Sequence, residues 1–227
     1  MASTNRCTYC GKEFAKARTL QVHLCEPKRR YLQKDEKWVV NAFMVFQRFY
    51  QIHQHNSKPK TYDEFVKSAY YNAFVKFGRF IMHINPLYPD KYINFVLRSK
   101  IKLDHWARDD LYETYLIEAL KTEPVEAALQ RSITTMMDWA TEQNAQWSDY
   151  FRLVNTNRAV QHIQQGKISP WLLLGCSAGK RMLNSFNDEQ LQMIERFINP
   201  SFWPSKLKSY PADHMLVQDT AREAKIV

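Results

Sequence analysis

The sequence predicts an all-α protein, a helical domain of about eight helices behind a small, separate N-terminal module. Three observations carry that expectation. The 227 residues include only 5 glycines, against roughly 7% in average usage, and sheet-rich or phosphate-cradling folds need glycine at tight turns and close backbone approaches. Apolar residues recur at steps of three and four from Tyr31 onward, as on one side of a helix. Strand-like alternation is absent outside the N-terminal module. With 45% apolar and 14% aromatic residues, the chain has material for a real core.

The N-terminal module, residues 1–30, rests on Cys7-Thr8-Tyr9-Cys10, Phe14, Leu20 and His23. Two thiolates on a tight knuckle, with Gly11 relaxing the turn, occupy two corners of a tetrahedron. A short helix from about Lys16 presents His23 to the same ion. Phe14 and Leu20 supply a small core, and metal supplies most of the folding energy of so short a unit. Three of the four cysteines fall in the first 25 residues, a clustering that points to metal rather than disulfides in a reducing compartment. The pattern Cys-x2-Cys-x3-Phe-x5-Leu-x2-His resembles the Cys2His2 zinc finger, a ββα unit. The fourth ligand departs from it, since Cys25 follows His23 after one residue and makes a Cys2HisCys variant. Positions 23 and 25 lie about 200° apart on an ideal helix, so the helix must unwind for both to reach one ion. Pro27 favours that unwinding. The expected zinc ligands are Cys7, Cys10, His23 and Cys25.

The resemblance implies nucleic-acid contacts from the early helix, here Lys16, Arg18 and Gln21. The run Lys28-Arg29-Arg30 follows at once and suits phosphate. Single fingers also dock proteins or serve as structural units.

The helical domain is expected over residues 31–204. Val39, Phe43, Phe46, Tyr50 and His53 mark the first long helix. His55 to Lys60 is a polar loop. Thr61 with Glu64 is a capping box for a helix carrying Phe65, Ala69, Ala73, Phe77 and Ile81. Asn85-Pro86 ends it, and a shorter helix holds Tyr92, Phe95 and Val96. Asp104 caps the next, with Leu111 and Tyr115. Thr122-Glu123-Pro124 opens a helix with Val125, Leu129, Ile133 and Met136. Ser148 and Asn157 read as caps, Gly166 as a stop, Ser169-Pro170 as a restart and Asn187-Asp188-Glu189 as a last start signal. Residues 205–227 lack periodicity and are expected to form a partly disordered tail.

The net charge is +9, and it is unevenly placed. Residues 1–36 hold 8 basic and 4 acidic groups, residues 37–110 hold 12 and 6, residues 111–165 hold 4 and 7, and residues 166–227 hold 8 and 6. A basic end facing a polyanion is the expectation. No segment is apolar and long enough for a membrane span, and no signal peptide opens the chain, so an intracellular location is expected.

No catalytic constellation emerges, and no enzyme activity is expected. Gly175 to Arg181 imitates a P-loop but lacks its spacing and its Ser or Thr, and reads as a helix–helix turn. His53 and His55 lack a nuclease context. Asp104, Asp109 and Asp110, with His105 beside them, read as helix-start acids. Phe74, Phe77 and Phe80, interleaved with Lys67, Lys76, Arg79 and Lys91, read as core residues with a solvated basic face. That basic face (Arg48, Lys58, Lys60, Lys76, Arg79, Arg98 and neighbours) is the better candidate for phosphate contact.

The stretch Ala159-Val160-Gln161-His162-Ile163 through Asn187-Asp188-Glu189-Gln190 is similar to the C-terminal part of T4-type bacteriophage helicase-loading proteins. That resemblance implies an all-α, basic protein that binds forked DNA and recruits a replicative helicase. The expected function is therefore a DNA-binding accessory protein, of a bacteriophage, in replication or transcription. A protein-docking adaptor and a virion structural protein are the alternatives.

Overall fold

The structure is a computed structural model that describes residues 5–54 and 58–226. Part of the predicted polar loop, with His55, lies outside the described residues. The chain divides into two compact units, Met1–Tyr112 and Glu113–Val227. A single helical domain over 31–204 was the expectation; each unit instead closes its own core. The helices are shorter and more numerous than the eight expected, and a two-stranded ribbon is the sheet among the described residues.

In the first unit, β1 (Asn5–Arg6) pairs antiparallel with β2 (Glu13–Phe14), Asn5 opposite Phe14 and Arg6 opposite Glu13. Helices α1 (Ala17–Val22) and α2 (Glu26–Leu32) follow. Helix α3 (Lys37–His53) buries Val39, Ala42, Val45 and Phe46, close to the expected stripe, with His53 exposed at its end. Thr61 and Glu64 form the predicted capping box. The Thr61 hydroxyl accepts from the Glu64 N–H, and the Glu64 carboxylate accepts from the Thr61 N–H at 2.7 Å.

The helix expected to run on from there is broken into α4 (Tyr62–Lys67) and α5 (Tyr71–Ile84). The break falls at Ser68, whose backbone is extended and whose hydroxyl accepts from the Tyr70 N–H at 3.1 Å. A serine offering the backbone such a partner competes with helix continuation. Helix α5 crosses α3 at Gly78, where an added Cβ would lie 2.3 Å from the Trp38 carbonyl oxygen. Phe74 and Phe77 are fully buried there, while Lys76 and Arg79 are exposed, so the rings are core and the charges face water. They meet Phe46, Phe49, Phe65 and Trp106 edge-on or tilted. Asn85, with φ of 43°, closes α5, and α6 (Pro89–Arg98) buries Tyr92, Ile93, Val96 and Leu97.

Helix α7 (Asp109–Thr122) carries the unit boundary. The second unit continues with α8 (Val125–Gln143), α9 (Tyr150–Leu153), α10 (Thr156–Gln164), α11 (Pro170–Gly175), α12 (Ser177–Asn184), α13 (Asp188–Ile198), α14 (Trp203–Ser209) and α15 (Pro211–Glu223). The cap of α10 is Asn155, which accepts from the Asn157 and Arg158 N–H groups, rather than the expected Asn157. Ser148 caps no helix and sits in a 3-10 turn ahead of α9. The segment expected to be a partly disordered tail is helical instead. Pro211 starts α15, and Val217 and Ala221 on it are buried.

The P-loop lookalike is the turn between α11 and α12. Gly179 is required there because its Cβ would fall 2.2 Å from the Leu173 carbonyl oxygen. Ahead of α11, Glu123 is buried in an ion pair with the partly buried Arg131. Arg131 donates twice to the Glu123 carboxylate, at 2.6 and 2.7 Å, and once to the Gly166 carbonyl at 2.6 Å. The Ser169 hydroxyl donates to Glu123 at 2.9 Å.

Candidate metal centre

The centre is built from the chain's first turns. The ribbon β1–β2 brackets the knuckle. Within it the Cys7 N–H donates to the Lys12 carbonyl and the Gly11 N–H to the Cys7 carbonyl, both at 2.8 Å. Gly11 has φ of +73°, a conformation that a side chain resists. Cys7 is thereby buried, and Cys10 faces outward. The Cys10 and Tyr9 N–H groups hold the Cys7 thiol below its ordinary pKa, whereas burial pushes the Cys25 thiol up.

Helix α1 stops at Val22. His23 has ψ of 123°, and Cys25, the N-cap of α2, has ψ of 164°. The chain is thus extended between the two ligands, as the one-residue spacing requires, and Pro27 lies in the first turn of α2. All four ligand atoms of Cys7, Cys10, His23 and Cys25 lie within 4.8 Å of one another, the one such cluster among the described residues. Cys7 Sγ is 3.8 Å from Cys25 Sγ, and Cys10 Sγ is 3.3 Å from His23 Nε2. Two thiolates at Zn–S distances of about 2.3 Å and a tetrahedral angle stand about 3.8 Å apart. The donor set therefore fits one tetrahedral ion. Four protein ligands complete the tetrahedron, the mark of a structural rather than a catalytic site.

The surroundings orient the ligands. The Phe14 ring lies 4.6 Å from the His23 ring, and Lys28 Nζ donates to the His23 carbonyl at 3.0 Å. Phe14 and Leu20 are half-buried. An aromatic chain that sequence reasoning missed ties this module to its unit's helices. Tyr9 meets Tyr31 at 5.2 Å, Tyr31 meets Tyr62 at 5.7 Å, and Tyr62 meets Phe43 at 5.4 Å. The Tyr31 hydroxyl also donates to Asp63, and the Tyr62 hydroxyl to the Arg30 carbonyl. A tyrosine inside a metal knuckle was the only cue in the sequence.

The basic residues separate into two groups. Lys16, at the N-cap of α1, and Arg18 and Gln21 on it are exposed. Lys28 is committed to the His23 carbonyl. Arg29 and Arg30 pair with Glu26, and Arg30 also donates to the Val66 carbonyl and stacks 4.2 Å over the Tyr71 ring. The acids singled out around Trp106 form no metal-ligand cluster among the described residues; Asp110, in the first turn of α7, pairs with Arg108 and accepts from the Leu111 N–H. No helix among the described residues is long and apolar enough to cross a membrane.

Fold and site together define a helical protein with an N-terminal Cys3His metal-ligand module. Compared with protein-family models, curated proteins and solved structures, the chain matches none, so the similarity of residues 159–190 to helicase loaders gains no support.

Proposed function

We propose that the chain is a zinc-dependent nucleic-acid-binding accessory protein that anchors on DNA phosphates through its first unit. One observation carries this reading. The unit that holds the metal centre, residues 1–112, has 20 basic and 10 acidic groups, net +10, whereas residues 113–227 have 12 and 13, net −1. The charge excess thus belongs wholly to the unit with the finger. Three thiolates and an imidazole in tetrahedral spacing select zinc among the available divalent ions. Zinc held by these four ligands would offset two of the three thiolate charges and tie the knuckle to the end of α1. The chain's own residues then do the binding: Lys16, Arg18 and Gln21 face outward from α1 and meet the nucleic acid. The near-neutral second unit is the part that meets a protein of the replication or transcription machinery.

The test is binding to single-stranded, double-stranded and forked DNA across a salt series, with zinc content measured and then removed by chelation. Affinity should fall steeply with salt, by a slope of about 0.9 per phosphate contact on duplex, and weaken on chelation. Binding to no form, or binding indifferent to salt, would sink the reading.

A protein-docking role has its own support. Val22 and Leu24, on either side of His23, are 74% and 60% exposed, and Leu32 at the end of α2 is 67% exposed. Replacing the three by serine leaves DNA binding intact on the first reading and abolishes the chain's role on the second.

A further inference from the structure

Helices α2 and α5 enclose a groove of about 430 Å³ within the first unit. Arg29 and Arg30 line one wall, Asn72, Lys76 and Arg79 the other, and Glu26 is the one carboxylate on it. We infer that this groove is a phosphodiester-binding site, which holds successive backbone phosphates of a nucleic-acid strand. The inference rests on the proposed function and adds a second contact region, apart from the helix of the finger.

Three features of the groove support it. Positions 72, 76 and 79 are four and seven residues apart and share one face of α5. They span about 10 Å at 1.5 Å per residue, so an amide and two cations set N–H donors in a row, which suits a repeating anion better than a compact one. Four cations against one carboxylate leave the groove positive. The cations also differ in how they are held. Arg30 is fixed by the Val66 carbonyl and the Tyr71 ring, and the Arg79 guanidinium sits 5.3 Å over the Trp38 ring. Both present planar forks already oriented, which lowers the ordering cost of binding a phosphate. Lys76 is exposed and pairs with no acid among the described residues.

Glu26 makes the inference testable with both signs. It holds Arg29 and Arg30 as a local counter-ion, and an incoming phosphate competes with it. Removing its charge frees both guanidiniums, while the exposed pairs it makes contribute little to folding.

The experiment measures binding of the full chain, zinc-loaded, to labelled duplex and single-stranded oligonucleotides by fluorescence anisotropy across a salt series. K76Q/R79Q should bind duplex about sixtyfold more weakly at about 0.1 M salt, from roughly eightfold per lost contact, with the salt slope shallower by about 2. E26Q should bind more tightly than the parent, which no purely structural role for these residues gives. Zinc content and the circular dichroism melt of each variant establish that it folds. K76Q alone, at an exposed residue, serves if the double variant does not fold. Parent-like affinity in K76Q/R79Q, K76Q and E26Q overturns the groove and leaves the proposed function standing. A parent that binds no oligonucleotide overturns both.

Discussion

Lowering the pH should destabilise the second unit through one histidine. His162 lies on α10, buried, with Nδ1 2.8 Å from the Tyr150 hydroxyl and its ring nearly parallel to that of Tyr150. Burial foremost, then the charges of Lys167 and Arg158, lowers its pKa to about 4, while Glu142 acts weakly the other way. The unfolded chain takes up this proton near 6.5, its ordinary value. Between these values the unfolded state binds more protons than the folded one, so stability rises with pH. The contribution is complete above pH about 6.5 and is lost as pH falls toward 4. A gap of about 2.5 pH units at about 1.4 kcal/mol each is about 3.5 kcal/mol. NMR titration of the ring should place the His162 midpoint near 4. Hydrogen exchange of amides in α8 and α10 should accelerate across the same window, and less so in H162Q, whose amide still reaches Tyr150 but does not titrate. A midpoint near 6.5, or equal pH slopes in parent and H162Q, would refute the reasoning.

Three further outcomes follow from particular contacts. Cys25→Ser should lose tight zinc binding, measured by metal content after dialysis, yet keep α2, because serine still serves at an N-cap and Arg30 stays bound to Val66 and Tyr71. Gly78→Ala should cost about 1–3 kcal/mol or more in urea unfolding, since its Cβ would meet the Trp38 carbonyl at 2.3 Å; an unchanged midpoint would show that α3 and α5 separate freely. Glu123→Ala should cost about 3–5 kcal/mol by stranding the Arg131 guanidinium, whereas E123Q/R131M should recover much of it.

What the sequence made legible was local chemistry. The ligand set, the capping box at Thr61, the stop at Gly166 with φ of +67° and the unwinding before Cys25 all follow from residues a few positions apart. Features decided by competition or by distant pairing were not legible. The helix from Thr61 breaks because the Ser68 hydroxyl offers the backbone another partner, a choice its apolar periodicity does not register. Helix α15 escaped notice because Val217 and Ala221 are the residues it buries, too few to set a period. The groove between α2 and α5 joins residues that no spacing rule connects, and so does the tyrosine chain from the knuckle to Phe43.

A net +10 gathered on the first unit is self-repulsive, and such a surplus destabilises a compact state. Much of it is left uncompensated by the fold. Lys16, Arg18 and Lys76 are exposed, and the acids nearest the groove reduce to Glu26. A unit that needed only solubility would intersperse the two signs, as the second unit does with 12 basic and 13 acidic groups. The first unit also gathers four metal ligands at its N-terminus, orients Arg30 on Tyr71 and Arg79 on Trp38, and buries Phe74 and Phe77 on α5. With those two rings buried, the exposed side chains beside them, Lys76 and Arg79, are ammonium and guanidinium groups, whose natural ligand is phosphate. Affinity that comes from charge and little from stacking should therefore follow salt far more than base composition.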